Sequence, residues 1–500
     1  METLPLESLP LAGRSMNSGA PPDGSRESML SRMYASDPTA DGLFLTGVLS
    51  TGIYCLPSCR ARKPKAKNVE FFGSLTEARA AGLRPCKRCR PDGFYRGEDP
   101  DHDRLAAVLA EIRRDPTAFS TVTALAEHLG VGASKLTGLV RRHLHTTPAE
   151  LLHRLRIAAA QRLLAAGEAT ATDVAFAVGY ESVSAFYDRF KAATGLTPGA
   201  YANLGSRPYF ELVLPTPFRA ATPLRLLGRD PQSTLERSSE DRAVKALELP
   251  SGPALLELRF EADRVLCSLA SMHRPPAAED LRAAHAVAVR FLGLGPDPMA
   301  FEGLAAETSL APWVARHAGL RVPLTASPWE ALVWAVVGQQ VNLAFAYTLR
   351  RRLAARCGRP VGDLVAHPSP QAVAELHAED LLKLQFSRSK AAYLIDFARR
   401  ITAGDLPLNG LADGTATEAE RRLLELRGVG PWTAGYMLLR GFGFHNAAPI
   451  GDAGLGQAIE RLAGLTGRAA AAQQAKWLAP FAPYRGLAVF HLWESLVAPA

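Results

Sequence analysis

Five hundred residues exceed what one hydrophobic core organises and imply three or four domains. The net charge of +8 suits an anionic partner without singling out nucleic acid. Six cysteines are too few for a disulfide scaffold, and no apolar run approaches the length of a membrane span. Residues 1–27 are rich in Ser, Gly and Pro, lack the apolar core of a signal peptide, and read as a disordered leader.

The first chemical feature is a pair of cysteine pairs, Cys55-Leu-Pro-Ser-Cys59 and Cys86-Lys-Arg-Cys89. Two short pairs divided by a longer loop let one small module offer four thiolates to a tetrahedral zinc ion. Arg60, Arg62, Lys63 and seven further basic residues crowd the stretch from 60 to 90, against only Glu70 and Glu77. Such surroundings depress thiol pKa values and suit a phosphate-rich partner. On the residues alone, a purely structural zinc knuckle on DNA is the commoner reading. Cys267 and Cys357 stand alone in apolar contexts and read as small buried hydrophobes rather than a disulfide.

The wording around the cysteines, STGIYCLPSCRARKPKAKNVEFF and AAGLRPCKRCRPD, resembles the amino-terminal module of the Ada family of methylation-damage sensors. The resemblance implies a small α/β module over 28–97 holding one zinc ion on Cys55, Cys59, Cys86 and Cys89. It also implies that Cys55 takes a methyl group from a methyl phosphotriester in DNA, zinc keeping the sulfur ionised. Arg60 and Arg62 are candidates to hold the DNA backbone. No Pro-Cys-His-Arg motif follows, so repair of guanine oxygen adducts is not expected.

Residues 101–203 repeat a pattern every 50 or so residues: an apolar helix, a glycine turn at Gly130 or Gly179, a second helix, then Thr-Pro at Pro148 or Pro198. That is helix-turn-helix spacing, although one copy alone is often a plain helical hairpin. ELLHRLRIAAAQRLLAAG joins the copies as an amphipathic helix. Two copies, the second reading GYESVSAFYDRFK, resemble the all-α AraC-type DNA-binding domain, with recognition helices near 133–143 and 182–191. Ser134, Lys135, Arg141, Ser182, Ser184, Tyr187 and Arg189 are then candidates for bases or phosphates.

From 207 to about 280, the runs FELVLP, AVKALELP, ALLELRF and RVLCSLAS alternate with turn residues and predict a small α+β domain with an antiparallel sheet. From 281 to 500 the pattern is helical. There, LLELRGVGPWTAGYMLLRG can form a tight hairpin whose Gly428 and Gly430 expose backbone amides to a phosphate. An ordinary helix–helix turn would use the same glycines.

This hairpin, followed by AAPIGDAGLGQAIERL, resembles the helix-hairpin-helix glycosylase superfamily, and the resemblance makes Asp452 the catalytic carboxylate. ASPWEALVWAVVGQQVNLAFAYTLRRRLAARCG and YRGLAVFHLW resemble the alkylbase branch, DNA-3-methyladenine glycosylase II. That implies an aromatic base pocket of Trp432, Tyr436 and Trp493, although most helical aromatics are core. Gln340 stands where relatives carry an apolar wedge, and Arg427 where they often have Pro. The resemblance further suggests a monovalent cation on the carbonyls of Leu424, Leu426 and Val429. Trp432 occupies the position of the lyase-type lysine, and no carboxy-terminal cysteine cluster offers an iron–sulfur site, so a monofunctional glycosylase is expected.

The expectation is therefore a monomeric, cytoplasmic, nucleoid-associated bacterial protein that binds alkylated and promoter double-stranded DNA and RNA polymerase, with no membrane. It would accept methyl groups, activate transcription and excise bases such as 3-methyladenine. The alternative is a regulator whose glycosylase-like half is a non-catalytic DNA-binding arm.

Overall fold

The computed structural model describes residues 25–271 and 274–497, so residues 1–24 of the expected leader lie outside it. The chain forms two compact units, residues 1–104 and 105–500. Among the described residues no helix is long and apolar enough to cross a membrane.

In the first unit, α1 (Arg26–Ala35) begins where the Ser25 side chain caps the Ser28 amide. Strands β1 (Leu45–Val48), β2 (Ile53–Cys55), β3 (Val69–Phe72) and β4 (Arg84–Pro85) form a sheet ordered β3-β1-β2-β4. Its pairings are antiparallel except β2 with β4. Helices α2 (Leu75–Ala80) and α3 (Pro91–Tyr95) flank it. Leu45, Tyr54, Leu56, Phe72, Ala78, Leu83 and Tyr95 make the core. Gly47 is required on β1, because a Cβ there would meet Phe72 at 2.4 Å and Leu83 at 2.6 Å. The parallel β2–β4 pairing matters most for chemistry: β2 ends on Cys55, and β4 delivers the chain to Cys86.

The second unit opens with the part of α4 (Pro100–Arg114) that packs Leu105, Val108, Leu109 and Ile112 inward. Two helix-turn-helix copies follow: α5 (Val122–His128) with α6 (Ala133–Leu144), and α8 (Ala171–Ala177) with α9 (Val183–Thr194). The joining helix α7 (Pro148–Ala166) and the short α10 (Pro198–Ala202) both start on Thr-Pro, with Thr147 and Thr197 as side-chain caps. Gly130 and Gly179 take the left-handed conformation that each turn needs (φ +63° and +86°).

Five antiparallel strands then build a sheet ordered β5-β9-β8-β7-β6: β5 (Tyr209–Val213), β6 (Glu236–Ser238), β7 (Arg242–Leu249), β8 (Gly252–Phe260) and β9 (Arg264–Ser271), with α11 (Ala221–Leu227) between the first two. The second helix-turn-helix copy and this sheet share a core. One apolar cluster runs from Ile157 through Phe186, Phe190 and Tyr201 to Leu212, Leu256 and Phe291 on α12 (Ala278–Leu292). Polar ties reinforce it: His285 on α12 meets the Thr194 carbonyl at 2.8 Å, and the Val213 amide donates to Gly195 at 2.9 Å.

The remainder is mainly helical: α13 (Met299–Ala305), α14 (Ala311–Arg316), α15 (Pro328–Val337), α16 (Leu343–Cys357), α17 (Pro370–Ala374), α18 (Ala378–Lys383), α19 (Arg388–Ala403), α20 (Leu408–Asp413), α21 (Ala416–Leu424), α22 (Pro431–Tyr436), α23 (Ala453–Ala463), α24 (Ala471–Leu478) and α25 (Arg485–Ser495). An all-helical pattern was expected here. A two-stranded hairpin, β10 (Arg359–Val361) with β11 (Leu364–Ala366), interrupts it, turning at Gly362 (φ +60°). It packs on the sheet side, where the Val365 amide donates to Thr234 at 2.7 Å. Cys267 is fully buried and Cys357 half-buried, both as free thiols.

Sheet and helices are pinned together by a buried ion quartet. Lys245 on β7 lies 2.7 Å from Glu236 on β6 and 2.9 Å from Glu330 on α15, and Arg350 on α16 binds the same two carboxylates. Burial alone would raise the Glu330 carboxyl, but Lys245 and Arg350 outweigh it and hold the group at about 2.

Candidate functional site

In the first unit the Cys55, Cys59, Cys86 and Cys89 sulfurs lie within 4.8 Å of one another. Tetrahedral zinc–thiolate bonds require sulfurs about 3.8 Å apart, so the cluster is nearly of zinc size already. The hydrogen bonds among the sulfurs show how closely the four donors converge. Cys59 accepts hydrogen bonds from Cys55 and Cys89, which lowers it to about 2. Cys55 is pushed far up by donating to Cys59, by Cys89 and by burial. Thiols competing for one negative charge are what a closed metal site looks like before a cation relieves the competition. The four residues fit zinc.

Local structure fixes the sulfurs. The Leu56 amide donates to the Cys89 sulfur at 3.4 Å, and the Cys59 amide to the Leu56 carbonyl at 3.1 Å. Asp41 clamps the turn by accepting from the Ser58 amide (3.0 Å) and hydroxyl (2.6 Å). Lys63 donates to the Cys59 carbonyl at 2.8 Å. Arg60 and Arg62 are exposed beside the cluster. Accessibility does not single out Cys55: it is 9% exposed, Cys59 7% and Cys86 8%, while Cys89 is half-buried.

In the second unit, both recognition helices turn their candidates outward. Ser134, Lys135 and Arg141 on α6 are exposed, as are Ser184, Tyr187 and Arg189 on α9. Ser182 is also exposed and caps α9 by accepting from the Ala185 amide. The inward positions, Leu136, Val140, Phe186 and Phe190, are fully buried. The α6 end abuts the helical half, where His143 meets the Thr417 hydroxyl of α21 at 2.9 Å.

The hairpin between α21 and α22 holds Gly428 at φ +90°, and a Cβ there would sit 2.3 Å from the Tyr393 ring. Gly430 caps α22, and Pro431 opens it. Leu426 and Val429 are buried and Leu424 is 44% exposed. The Leu426 carbonyl already accepts from the Val429 amide at 3.0 Å. Gln340 is exposed on the turn before α16, in a left-handed conformation (φ +53°). Its neighbour Gln339 was not anticipated: it donates to the Gly428 carbonyl (2.9 Å) and the Thr433 hydroxyl (3.1 Å), tying this turn to the hairpin.

Asp452 is gathered with the aromatics. One carboxylate oxygen accepts from Trp432 Nε1 at 3.1 Å; the other accepts from Trp493 Nε1 at 3.1 Å and the Leu455 amide at 2.8 Å. Asp452 thus also caps α23. Tyr436 stacks on Trp432 with ring centroids 5.7 Å apart, and Phe490 meets Trp493 edge-on at 5.3 Å. Gln474, a second unanticipated residue, is buried behind the turn: it donates to the Asp452 and Ala469 carbonyls and accepts from the Gly451 amide. The Gly454 position keeps the carboxylate face open, since a Cβ there would approach Asp452 to 3.3 Å.

Three family descriptions match the chain: the metal-binding domain of Ada over residues 28–92, a helix-turn-helix domain over 125–203, and the HhH-GPD superfamily base excision DNA repair protein over 333–480. The Escherichia coli "Bifunctional transcriptional activator/DNA repair enzyme Ada" is 32% identical over 175 residues, covering 35% of this chain and 48% of that protein. A 3-methyladenine DNA-glycosylase structure from Archaeoglobus fulgidus matches with a TM-score of 0.51 and 20% identity, over 57% of this chain and 97% of that one, which shows a shared fold. The "Probable bifunctional transcriptional activator/DNA repair enzyme AlkA" of Mycobacterium tuberculosis is 32% identical over 489 residues, covering 93% of this chain and 96% of that protein. With that identity over nearly the whole of both chains, the protein belongs to the AlkA family of bifunctional transcriptional activator/DNA repair proteins.

Proposed function

We propose that the chain couples an alkylation sensor to a base-excising enzyme, and that its helical half hydrolyses the N-glycosyl bond of alkylated bases such as 3-methyladenine. The observation that carries this is Asp452, held by the indole N–H groups of Trp432 and Trp493 at the start of α23, on the chain that follows the Gly428–Gly430 hairpin. The hairpin amides at Gly428 and Gly430 would hold a phosphate beside the damaged nucleotide, and Gln340 would fill the gap left as it is extruded. A base methylated on a ring nitrogen leaves readily, so the chain needs little acid catalysis. Asp452 would stabilise the cationic sugar and direct water to it. Leu424, Leu426 and Val429 would offer carbonyls to a monovalent cation, Leu426 with the lone pair that Val429 does not use.

In the amino-terminal module, zinc would keep the four sulfurs ionised. Cys55 would attack the methyl carbon of a phosphotriester: a sulfur–carbon bond forms, the carbon–oxygen bond breaks, and the electron pair leaves on the phosphodiester. Methylation removes one negative charge from the module and so favours DNA. The paired helix-turn-helix region, read as 101–203, would then place the protein at a promoter and recruit RNA polymerase, the protein acting as a cytoplasmic, nucleoid-associated monomer. The leader 1–27, sensor 28–97, sheet domain 207–280 and glycosylase domain 281–500 complete the proposed division.

A second reading has its own support: Asp452 caps α23, so the helical half could be a DNA-binding arm with a structural aspartate. Incubating the protein with methylated duplex DNA and measuring free base separates the two. Release of 3-methyladenine supports excision; its absence, with binding intact, supports the arm.

A further inference from the structure

Asp452 stands in a glycine-rich stretch, Gly451-Asp452-Ala453-Gly454-Leu455-Gly456. Three glycines in six residues leave this main chain free to take many conformations, and Gly451 takes the left-handed one (φ +92°). The carboxylate has its own donors: Trp432 on α22, Trp493 on α25 and the Leu455 amide. These place its oxygens only if the main chain beneath them is held as well. The restraint comes from Gln474 on α24, a residue only 2% exposed. Its Oε1 accepts from the Gly451 amide at 2.8 Å, and its Nε2 donates to the Asp452 carbonyl at 3.2 Å and to the Ala469 carbonyl at 2.9 Å. One amide thus uses both of its donors and its acceptor on the residues at and around Asp452. A carboxylate of the same shape has no donor, and an apolar side chain has neither donor nor acceptor. The fit leaves no slack: a Cβ at Gly456 would come within 2.9 Å of Nε2.

We infer that Gln474 is a positioning residue for base excision, holding the Gly451–Asp452 main chain so that the carboxylate meets the cationic sugar. This inference rests on the glycosylase reading. Gln474 is buried behind the turn, so it acts through Asp452 and touches neither base nor DNA backbone. Its loss therefore falls on the chemical step and leaves DNA binding as it was. Small displacements of a reacting group are expensive in rate, which is why a residue outside the chemistry matters to it. A residue that only stapled α24 to the loop before it would stabilise the fold without affecting the position of Asp452.

The test uses the full-length protein with Gln474→Met and Gln474→Glu. Met loses all three hydrogen bonds at similar length; Glu keeps the Gly451 contact but offers no donor to the Asp452 carbonyl. Met is neutral and keeps the test valid if the buried charge of Gln474→Glu prevents folding. Single-turnover release of 3-methyladenine from a methylated duplex, titrated with protein, separates the maximal rate from the half-saturating concentration. In both variants the maximal rate should fall at least about tenfold while half-saturation stays at the wild-type value. A second readout is independent of turnover. In protein labelled with 15N-tryptophan, the indole N–H resonances of Trp432 and Trp493, assigned with Trp432→Phe and Trp493→Phe, should shift in both variants because their shared acceptor has moved. A folded variant in which either the maximal rate or these resonances stay at wild-type values overturns the inference, whatever its Tm. Absence of base release by the wild-type protein overturns the glycosylase reading itself, and the role of Gln474 in excision with it.

Discussion

On the proposed reading, single residues carry the two chemistries, and their neighbours decide whether they can act. Cys55→Ser replaces a metal-held thiolate with a hydroxyl that is neutral at pH 7, so mass spectrometry after incubation with methylated DNA should find one methyl on the wild-type chain and none on the variant. An adduct on Cys59, Cys86 or Cys89 would move the acceptor. The spacing of the cysteines and the match to Ada wording made this cluster legible from sequence. The supporting residues were not: Asp41 and Lys63 hold the turn through a cap and a carbonyl contact that no spacing encodes. Gln339 was hidden likewise, because its partners, Gly428 and Thr433, lie 89 and 94 residues away. Gln339→Leu should strand a half-buried carbonyl, cost about 1–2 kcal/mol, and slow base release roughly tenfold. A single-turnover rate equal to wild type would make that tie incidental.

At the scale of elements, turns do the positioning. The hairpin can exist only with glycine at 428, because that backbone is left-handed and a methyl group would overlap the Tyr393 ring. Gly428→Ala should therefore lower stability by about 3 kcal/mol, seen as a drop in Tm, and weaken lesion-DNA binding. The recognition helices were readable because their period separates buried Leu136, Val140, Phe186 and Phe190 from exposed Arg141 and Arg189. If Arg141 and Arg189 each touch a phosphate, replacing either by Gln should cut the salt slope of promoter binding by about 0.9. Identical slopes would put both off the interface. The β10–β11 hairpin escaped the reading because its strands are three residues each, too short to show a period, and the face it packs on is distant in sequence, as the Val365 amide bonding Thr234 shows.

At the scale of the whole molecule, the second unit is tied together across positions that read in sequence as separate segments. The apolar cluster spanning Phe186, Leu212 and Phe291 joins the second helix-turn-helix copy to the sheet, and the ion quartet joins the sheet to the helices. Apolar periodicity shows that a face is buried, not which neighbour buries it, so this union was not visible in advance. It has a pH consequence. Burial lowers His145, His285, His367 and His445 to about 4. In the unfolded chain histidine titrates near 6.5, so acidification protonates the unfolded state first. Their contribution is complete above the unfolded value and is lost as pH falls from about 6.5 toward 4. Glu330, held at about 2, adds a further loss below about 4.5. Thermal unfolding followed from pH 7.5 to 4 should show Tm falling steadily on the acid side; a flat profile would mean these groups are not buried as described.

The central claim is that the helical half performs chemistry through Asp452, and Asp452→Asn tests it most directly. Asparagine can still cap α23 by accepting from the Leu455 amide, so Tm should change little. It removes the negative charge and cannot accept from both indole N–H groups. The account predicts that 3-methyladenine release from duplex DNA falls at least about 100-fold, as for loss of other preorganised electrostatic groups, while methyl transfer to Cys55 is untouched. A folded Asp452→Asn protein that releases the base at near the wild-type rate would contradict the account.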